Sequence, residues 1–373
     1  MSETVVAADH PVADTWQPRD AAWLNRSPSA FAGQARRPLF VGACPRSGTT
    51  LLRSLLDNHP DLAMPAETNF VLPLWLDRKA YGDLRDPASR RRMAEWVMDT
   101  PKRGGTRIRG GRFSREEAIE RVVAAPPTLG SVFAALFEMY ADAKGKGRWG
   151  DKRPAYAAYI SAIFRLFPDA QFINVVRDPR AAVPSQIAVG LHKAKNERMA
   201  TAAAIATWEI AVRRSDAYVS RLRPDQLLDV RYEDLVRDPR TTLEQVCAFA
   251  DLRTAGDAID DMLNRPRRFK FKQGYHERVS QPISTDGISK WRETVPPRRV
   301  ALIEAATGQY FERFGYRTVS GPRVTPRPKD VEALDEHRKR RQTKWRQYER
   351  AELKRRLLTY RKPVAAVPPA AGS

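Results

Sequence analysis

A cation and three hydroxyls, Arg46, Ser47, Thr49 and Thr50, stand in one string around Gly48, and a carboxylate, Glu67, follows a little further on. The run Pro38 to Ala43 is apolar with the length of a buried strand, and Thr49 to Leu56 repeats apolar residues at helical spacing. Gly48 is therefore predicted on a strand-to-helix turn. Such a turn aims backbone N–H groups and the positive end of a helix dipole at one point, which makes an anion site. Glu67 follows Leu62-Ala-Met-Pro-Ala, predicted as a second strand over Leu62–Thr68 whose end lines the same crevice, near Arg46. It suits three roles: a first-turn glutamate of the helix predicted over Asn69–Arg78, a solvated surface charge, or a general base beside the bound anion.

The string excludes the commonest phosphate loop. A nucleoside triphosphatase reads Gly-x4-Gly-Lys-Ser/Thr, whereas Ala43 takes the first glycine position here and Thr49 the lysine position. The hydroxyls suit one terminal phosphate better than a triphosphate with magnesium. Further cations stand in compact motifs. Lys152 lies in Arg148-Trp-Gly-Asp-Lys-Arg-Pro, ahead of a proline turn. Arg177 closes the apolar strand Gln171–Val176 before a helix that contains Pro184 and Ser185. A guanidinium there can grip phosphate through two parallel hydrogen bonds, and it can equally form ion pairs inside Arg-Asp-Pro-Arg. Tyr232 opens Tyr-Glu-Asp-Leu after another strand and fits a core aromatic as well as a ligand contact. Lys290 stands in Ser-Lys-Trp before Pro296-Pro297 and an amphipathic helix predicted over Arg298–Phe314.

The string Pro45-Arg-Ser-Gly-Thr-Thr50, with Lys152-Arg-Pro154, Arg177 and Ser185 eight residues apart, and Ser289-Lys-Trp291, resembles the sulfotransferases that use 3′-phosphoadenosine 5′-phosphosulfate (PAPS), in the branch that includes tyrosylprotein sulfotransferases. The resemblance covers about residues 38 to 316. It implies that Arg46, Ser47, Gly48, Thr49 and Thr50 hold the 5′-phosphosulfate, that Arg177, Ser185 and Lys290 hold the 3′-phosphate, and that Tyr232 lies near the adenosine. It assigns Glu67 the acceptor proton and gives Arg46 and Lys152 the charge developing on the sulfuryl group. It implies sulfuryl transfer from PAPS to an acceptor hydroxyl, ahead of an amine, with 3′-phosphoadenosine 5′-phosphate (PAP) as product and no metal. His59 is the rival base, because cytosolic members use histidine. Two departures stand out: Val189 replaces a basic residue, with Lys193 as the nearest substitute, and either Ser280 or Ser284 takes the place of a lid serine.

Alternating strand and helix signals predict an α/β fold, a P-loop-type doubly wound parallel sheet of about five strands flanked by helices. Residues 1–36 are predicted as a loosely ordered arm in which Trp16 and Trp23 act as pins, 37–318 as the catalytic domain with a helical insertion over 79–130, and 319–373 as a basic helical extension with a disordered tail. Within the insertion, Ser114 and the glutamates after it predict a capped helix, and the glycine-rich cationic run Lys102–Arg112 suits a flexible cover.

The 373 residues carry a formal charge of +21, which favours anionic partners. No nucleic-acid-binding signature is present, so nucleic acid is not an expected partner. Residues 323–362 hold 15 Lys/Arg against 6 Asp/Glu. A charged helix over Val331–Leu358, with Leu334, Trp345, Tyr348, Leu353 and Leu357 as apolar points, can lie on its own domain or meet an acidic acceptor or anionic membrane surface. No apolar run reaches the roughly 18 residues of a membrane span, and the first residues lack a signal-peptide layout, so a cytoplasmic protein is expected. Two cysteines make no disulfide framework, and Cys44 is read as a small buried filler. A small-molecule kinase on the same loop and a non-catalytic basic binding module are the rival functions.

Overall fold

Strand β1 (Leu39–Ala43) forms where the apolar run predicts it, and every one of its residues is buried. Side chains alternate between the two faces of a strand. Here Leu39, Val41 and Ala43 enter one core, with Leu52, Leu55 and Leu56 of helix α1 (Thr49–Asn58), while Phe40 enters another with Phe133, Phe137, Trp149 and Phe172. Apolar residues on both faces are the mark of a parallel sheet covered on both sides. In the computed structural model, which describes residues 37–100, 108, 112–219, 221–266 and 281–343, that sheet has five parallel strands.

The other strands are β2 (Leu62–Ala63), β3 (Arg148–Lys152), β4 (Gln171–Val176) and β5 (Leu227–Arg231). Their order is β2-β3-β1-β4-β5, so the chain winds one way from β1 and then the other. Register places Val41 beside Lys152 and Ala43 beside Val175. A ligand crevice lies outside the carboxyl ends of such strands, where the winding reverses. In this chain that place is the end of β1, with β3 and β4 as its walls.

Two predicted elements differ in form. The strand predicted over Leu62–Thr68 pairs only through Leu62 and Ala63, against Arg148 and Trp149. Arg53 from α1 then takes the Met64 and Pro65 carbonyls at 3.0 Å each, which draws that backbone off the ladder. The motif around Lys152, placed ahead of a proline turn with no element assigned to it, is an inner strand. It buries Arg148, Asp151 and Lys152, which hydrophobic periodicity does not register.

The 79–130 segment is no appendage. Its Pro87–Asp99 and Arg115–Ala124 helices bury Met93, Val97, Ile119 and Val122 in the same core as Phe40, and Ser114 and Glu117 close the expected capping box. Within the described part of the C-terminal extension, residues 319–343, a helix over 328–343 lies on the Glu197–Val219 helix. Leu334 is buried beside Ile205 and Ile303, and Arg341 donates to Thr207 at 2.8 Å. The arm over 1–36, most of Lys102–Arg112, Ser280, Trp345, Tyr348, Leu353, Leu357 and the tail lie outside the described residues.

Candidate active site

The loop after β1 has a constrained backbone. Arg46 and Gly48 both have positive φ, two left-handed residues flanking Ser47 that turn N–H groups inward. A Cβ on Gly48 would stand 2.3 Å from Cδ2 of Tyr232, so only glycine fits beneath that ring. Ser47 Oγ is buried and meets no hydrogen-bond partner among the described residues. An orphaned buried hydroxyl costs free energy unless a ligand satisfies it. Thr49 and Thr50 begin α1, whose first N–H groups have no intrahelical acceptor.

Each strand end then adds a group. From β3, Lys152 is 2% exposed; its ammonium meets Glu67 Oε2 at 2.6 Å and Thr50 Oγ1 at 3.5 Å. Glu67 follows β2, and its side chain is 42% exposed, which leaves it open to an incoming molecule. From β4, Arg177 donates to the Arg46 carbonyl at 2.9 Å and to the Gly287 carbonyl at 2.8 Å, while its Nε is buried with no partner among the described residues. From β5, Tyr232 lays its ring under that guanidinium, 4.5 Å away. Arg46 Nε reaches Ser185 Oγ at 3.2 Å.

The neighbours of these groups fix them. Within Arg177-Asp-Pro-Arg180 the ion pairs belong to Arg180, which joins Asp178 at 2.7 Å and Glu304 at 2.6 Å and is covered by Trp291 at 4.3 Å. Arg177 is left for the crevice. Glu233 accepts from the Asp178 N–H at 3.0 Å and from Tyr316 at 3.0 Å, locking the start of β5's following helix to the end of β4.

The profile of the sulfotransferase family matches residues 38–256. The chain belongs to that family. Protein-tyrosine sulfotransferase 1 of Danio rerio is 26% identical over 313 residues, spanning 81% of this chain and 78% of that protein. The Homo sapiens protein of the same name is 24% identical over 309 residues, 81% of this chain and 76% of that one. Among solved structures, the sulfotransferase domain of the Synechococcus olefin synthase superposes with a TM-score of 0.55 and 26% identity, covering 76% of this chain and 96% of that one. This sulfotransferase thus shares the family's sheet and its sequence.

Not every sequence-predicted residue converges equally. Lys290 is exposed, and it is Gly287, one turn before it, whose carbonyl sits on Arg177; the buried Trp291 anchors the segment. Lys193 is exposed beyond the Pro179–Ala188 helix, where Val189 forms the C-cap. Cys44 is a buried filler: Gln186 donates to its sulfur at 3.2 Å and burial pushes the thiol pKa up. Sequence reasoning missed Gly287, Thr68, Asp151 and Tyr156. Glycine and threonine carry no charge to mark them, and Asp151 was passed over beside Lys152.

His59 is displaced from the rival role. It lies past the C-terminal end of α1, so the whole of that helix, about three turns, separates it from the loop. Its Nδ1 accepts from the Asp61 N–H at 3.1 Å and its Nε2–H donates to the Arg253 carbonyl at 2.9 Å. Burial lowers its pKa. Below about pH 6.5 the unfolded chain takes up a proton that folded His59 resists, so stability present above that pH is lost as pH falls toward the lower folded value. His59→Gln is expected to make the decline in melting temperature between about pH 7.5 and 6 shallower. An equally steep decline would show that His59 does not titrate this way.

Proposed function

We propose that this sulfotransferase moves the sulfuryl group of PAPS to an acceptor hydroxyl, with Glu67 as the general base. The observation that carries the reading is convergence: the loop after β1, the segment after β2 and the residues at the ends of β3, β4 and β5 bring one carboxylate, the three cations Arg46, Lys152 and Arg177, and an orphaned hydroxyl together. Ser47 Oγ and Arg177 Nε suit phosphate oxygens because both are buried donors without partners among the described residues. PAPS supplies the activated sulfuryl group; the residues supply position and charge.

In this reading Ser47, Gly48, Thr49 and Thr50 hold the 5′-phosphate through backbone N–H groups and hydroxyls. Arg177, with Ser185 and Lys290, receives the 3′-phosphate, and Tyr232 supports the guanidinium from below. The Glu67–Lys152 pair keeps both charges neutralised at rest. When an acceptor hydroxyl approaches, Glu67 takes its proton, while Lys152 and Arg46 stabilise negative charge growing on the sulfuryl and its bridging oxygen. Sulfuryl transfer asks for little covalent chemistry from the protein, so positioning and charge dominate, as in phosphoryl transfer. A cytoplasmic setting and contact of 323–362 with an acidic acceptor or anionic membrane are further parts of the proposal; the positive net charge supports an anionic partner.

Incubation with radiolabelled PAPS and a panel of phenols, glycans, lipids and peptides tests the reading; label on a hydroxyl of any acceptor supports it, and label on none contradicts it. Arg177→Ala is expected to weaken PAP binding about 10- to 100-fold, the worth of a charge-assisted hydrogen bond to phosphate. An unchanged dissociation constant in titration calorimetry would remove Arg177 from the clamp.

A further inference from the structure

We infer that Thr68 and Asp151 form a positioning bridge that sets the reach of Glu67. Two adjacent pairs face each other across the crevice wall: Glu67 and Thr68 after β2, Asp151 and Lys152 on β3. They are joined twice, Lys152 to Glu67 at 2.6 Å and Thr68 Oγ1 to Asp151 Oδ2 at 2.8 Å. Alternation along β3 sends Lys152 to one face and Asp151 to the other, so the two links hold the backbone of 67–68 from both sides. Tyr156 donates to the same Oδ2 at 2.5 Å, and its ring packs edge-on against Phe40, the residue beside Asp151 in register.

Glu67 needs such a tether because no regular element carries it. Residues 64–69 run between β2 and the Val71–Asp77 helix without strand or helix structure, held at their start by Arg53 on the Met64 and Pro65 carbonyls. The Thr68 hydroxyl ties the other end. Thr68, Asp151 and Tyr156 are all completely buried, and an uncompensated core carboxyl is costly where an apolar residue would pack. Burial pushes the Asp151 carboxyl above its ordinary range, with both hydroxyl bonds opposing. A polar cluster kept at that cost specifies geometry.

This inference rests on Glu67 being the base. Thr68→Val keeps the shape and removes the hydroxyl. It is expected to lower kcat about 100-fold, the effect of a misplacement of about 1 Å, with PAP affinity unchanged and the melting temperature lowered by the lost hydrogen bond to the buried carboxyl. Thr68→Ser is expected to restore most of the rate, and Asp151→Asn to lower it in the same direction. A second readout needs no turnover: the ¹⁵N signal of the Lys152 ammonium, which reports its pairing with Glu67, is expected to shift in Thr68→Val and return in Thr68→Ser. Wild-type kcat in Thr68→Val, an unmoved ammonium signal, or equal losses of rate, PAP affinity and melting temperature would each overturn the bridge. An inert wild type whose ammonium signal still responds to Thr68→Val would instead sink Glu67 as the base and leave the bridge standing.

Discussion

Glu67→Gln is expected to lower turnover about 10³-fold, within the range that a positioned general base contributes. The amide keeps the size of the side chain and can still accept from Lys152 Nζ, 2.6 Å from the carboxylate, but it cannot take the acceptor's proton. The groups proposed to hold the phosphates are other residues, on the loop after β1, at the end of β4 and at Lys290, so PAP is expected to bind the variant with an affinity within about twofold of wild type. Steady-state kinetics and titration calorimetry on one preparation separate the two effects. Retained turnover would show that another group, or solvent, takes the proton. His59 could not be that group, since both its ring nitrogens are occupied beyond the far end of α1.

The second large effect belongs to Gly48→Ala. Two costs fall on one methyl group. Gly48 holds a left-handed φ that strains any L-residue, and the new Cβ would lie 2.3 and 2.8 Å from two carbons of the Tyr232 ring. The ring cannot yield quietly, because Arg177 stacks on it 4.5 Å away and bridges it to the Arg46 and Gly287 carbonyls. Relieving the clash therefore moves the loop, the guanidinium and the 286–291 segment together. PAP affinity is expected to fall at least about 100-fold, with turnover falling alongside, while circular dichroism remains that of the folded chain. Gly48→Ala combined with Tyr232→Ala should recover only part of the affinity, since the backbone strain stays. Wild-type affinity in the single variant would mean that the loop does not hold the ligand in this conformation.

What the sequence disclosed follows from where its signals are strong. β1 reads correctly because it is an uninterrupted apolar run, and β4 because it is mainly apolar apart from Gln171 and Asn174, each strand being buried on both faces. The glycine and hydroxyls of the loop were legible because few residue types satisfy that turn. β3 was not, since Arg148, Asp151 and Lys152 look like surface residues. Their burial is made tolerable by partners mostly distant in sequence: Arg148 donates to the Arg37 carbonyl at 2.6 Å and to Gln171 at 2.5 Å, Asp151 accepts from Thr68 and from the nearby Tyr156, and Lys152 meets Glu67. Spacing alone left Glu67 open between a helix-dipole carboxylate, a solvated surface charge and a base, and the family resemblance favoured the base. The Gly287 contact lay beyond reach altogether, because a carbonyl in an exposed segment leaves no mark in residue type.

If the strand ends build a cradle for an adenosine bearing both a 5′- and a 3′-phosphate, PAP binds there without magnesium and ahead of a nucleoside diphosphate. Calorimetry with PAP, and separately with ADP plus magnesium, should give one PAP site that Arg177→Ala weakens and a preference for PAP over ADP of about 100-fold, the worth of the added 3′-phosphate contacts. Equal affinity for the two nucleotides, or ADP binding that requires magnesium while PAP fails to bind, would rule out a cradle for the 3′-phosphate.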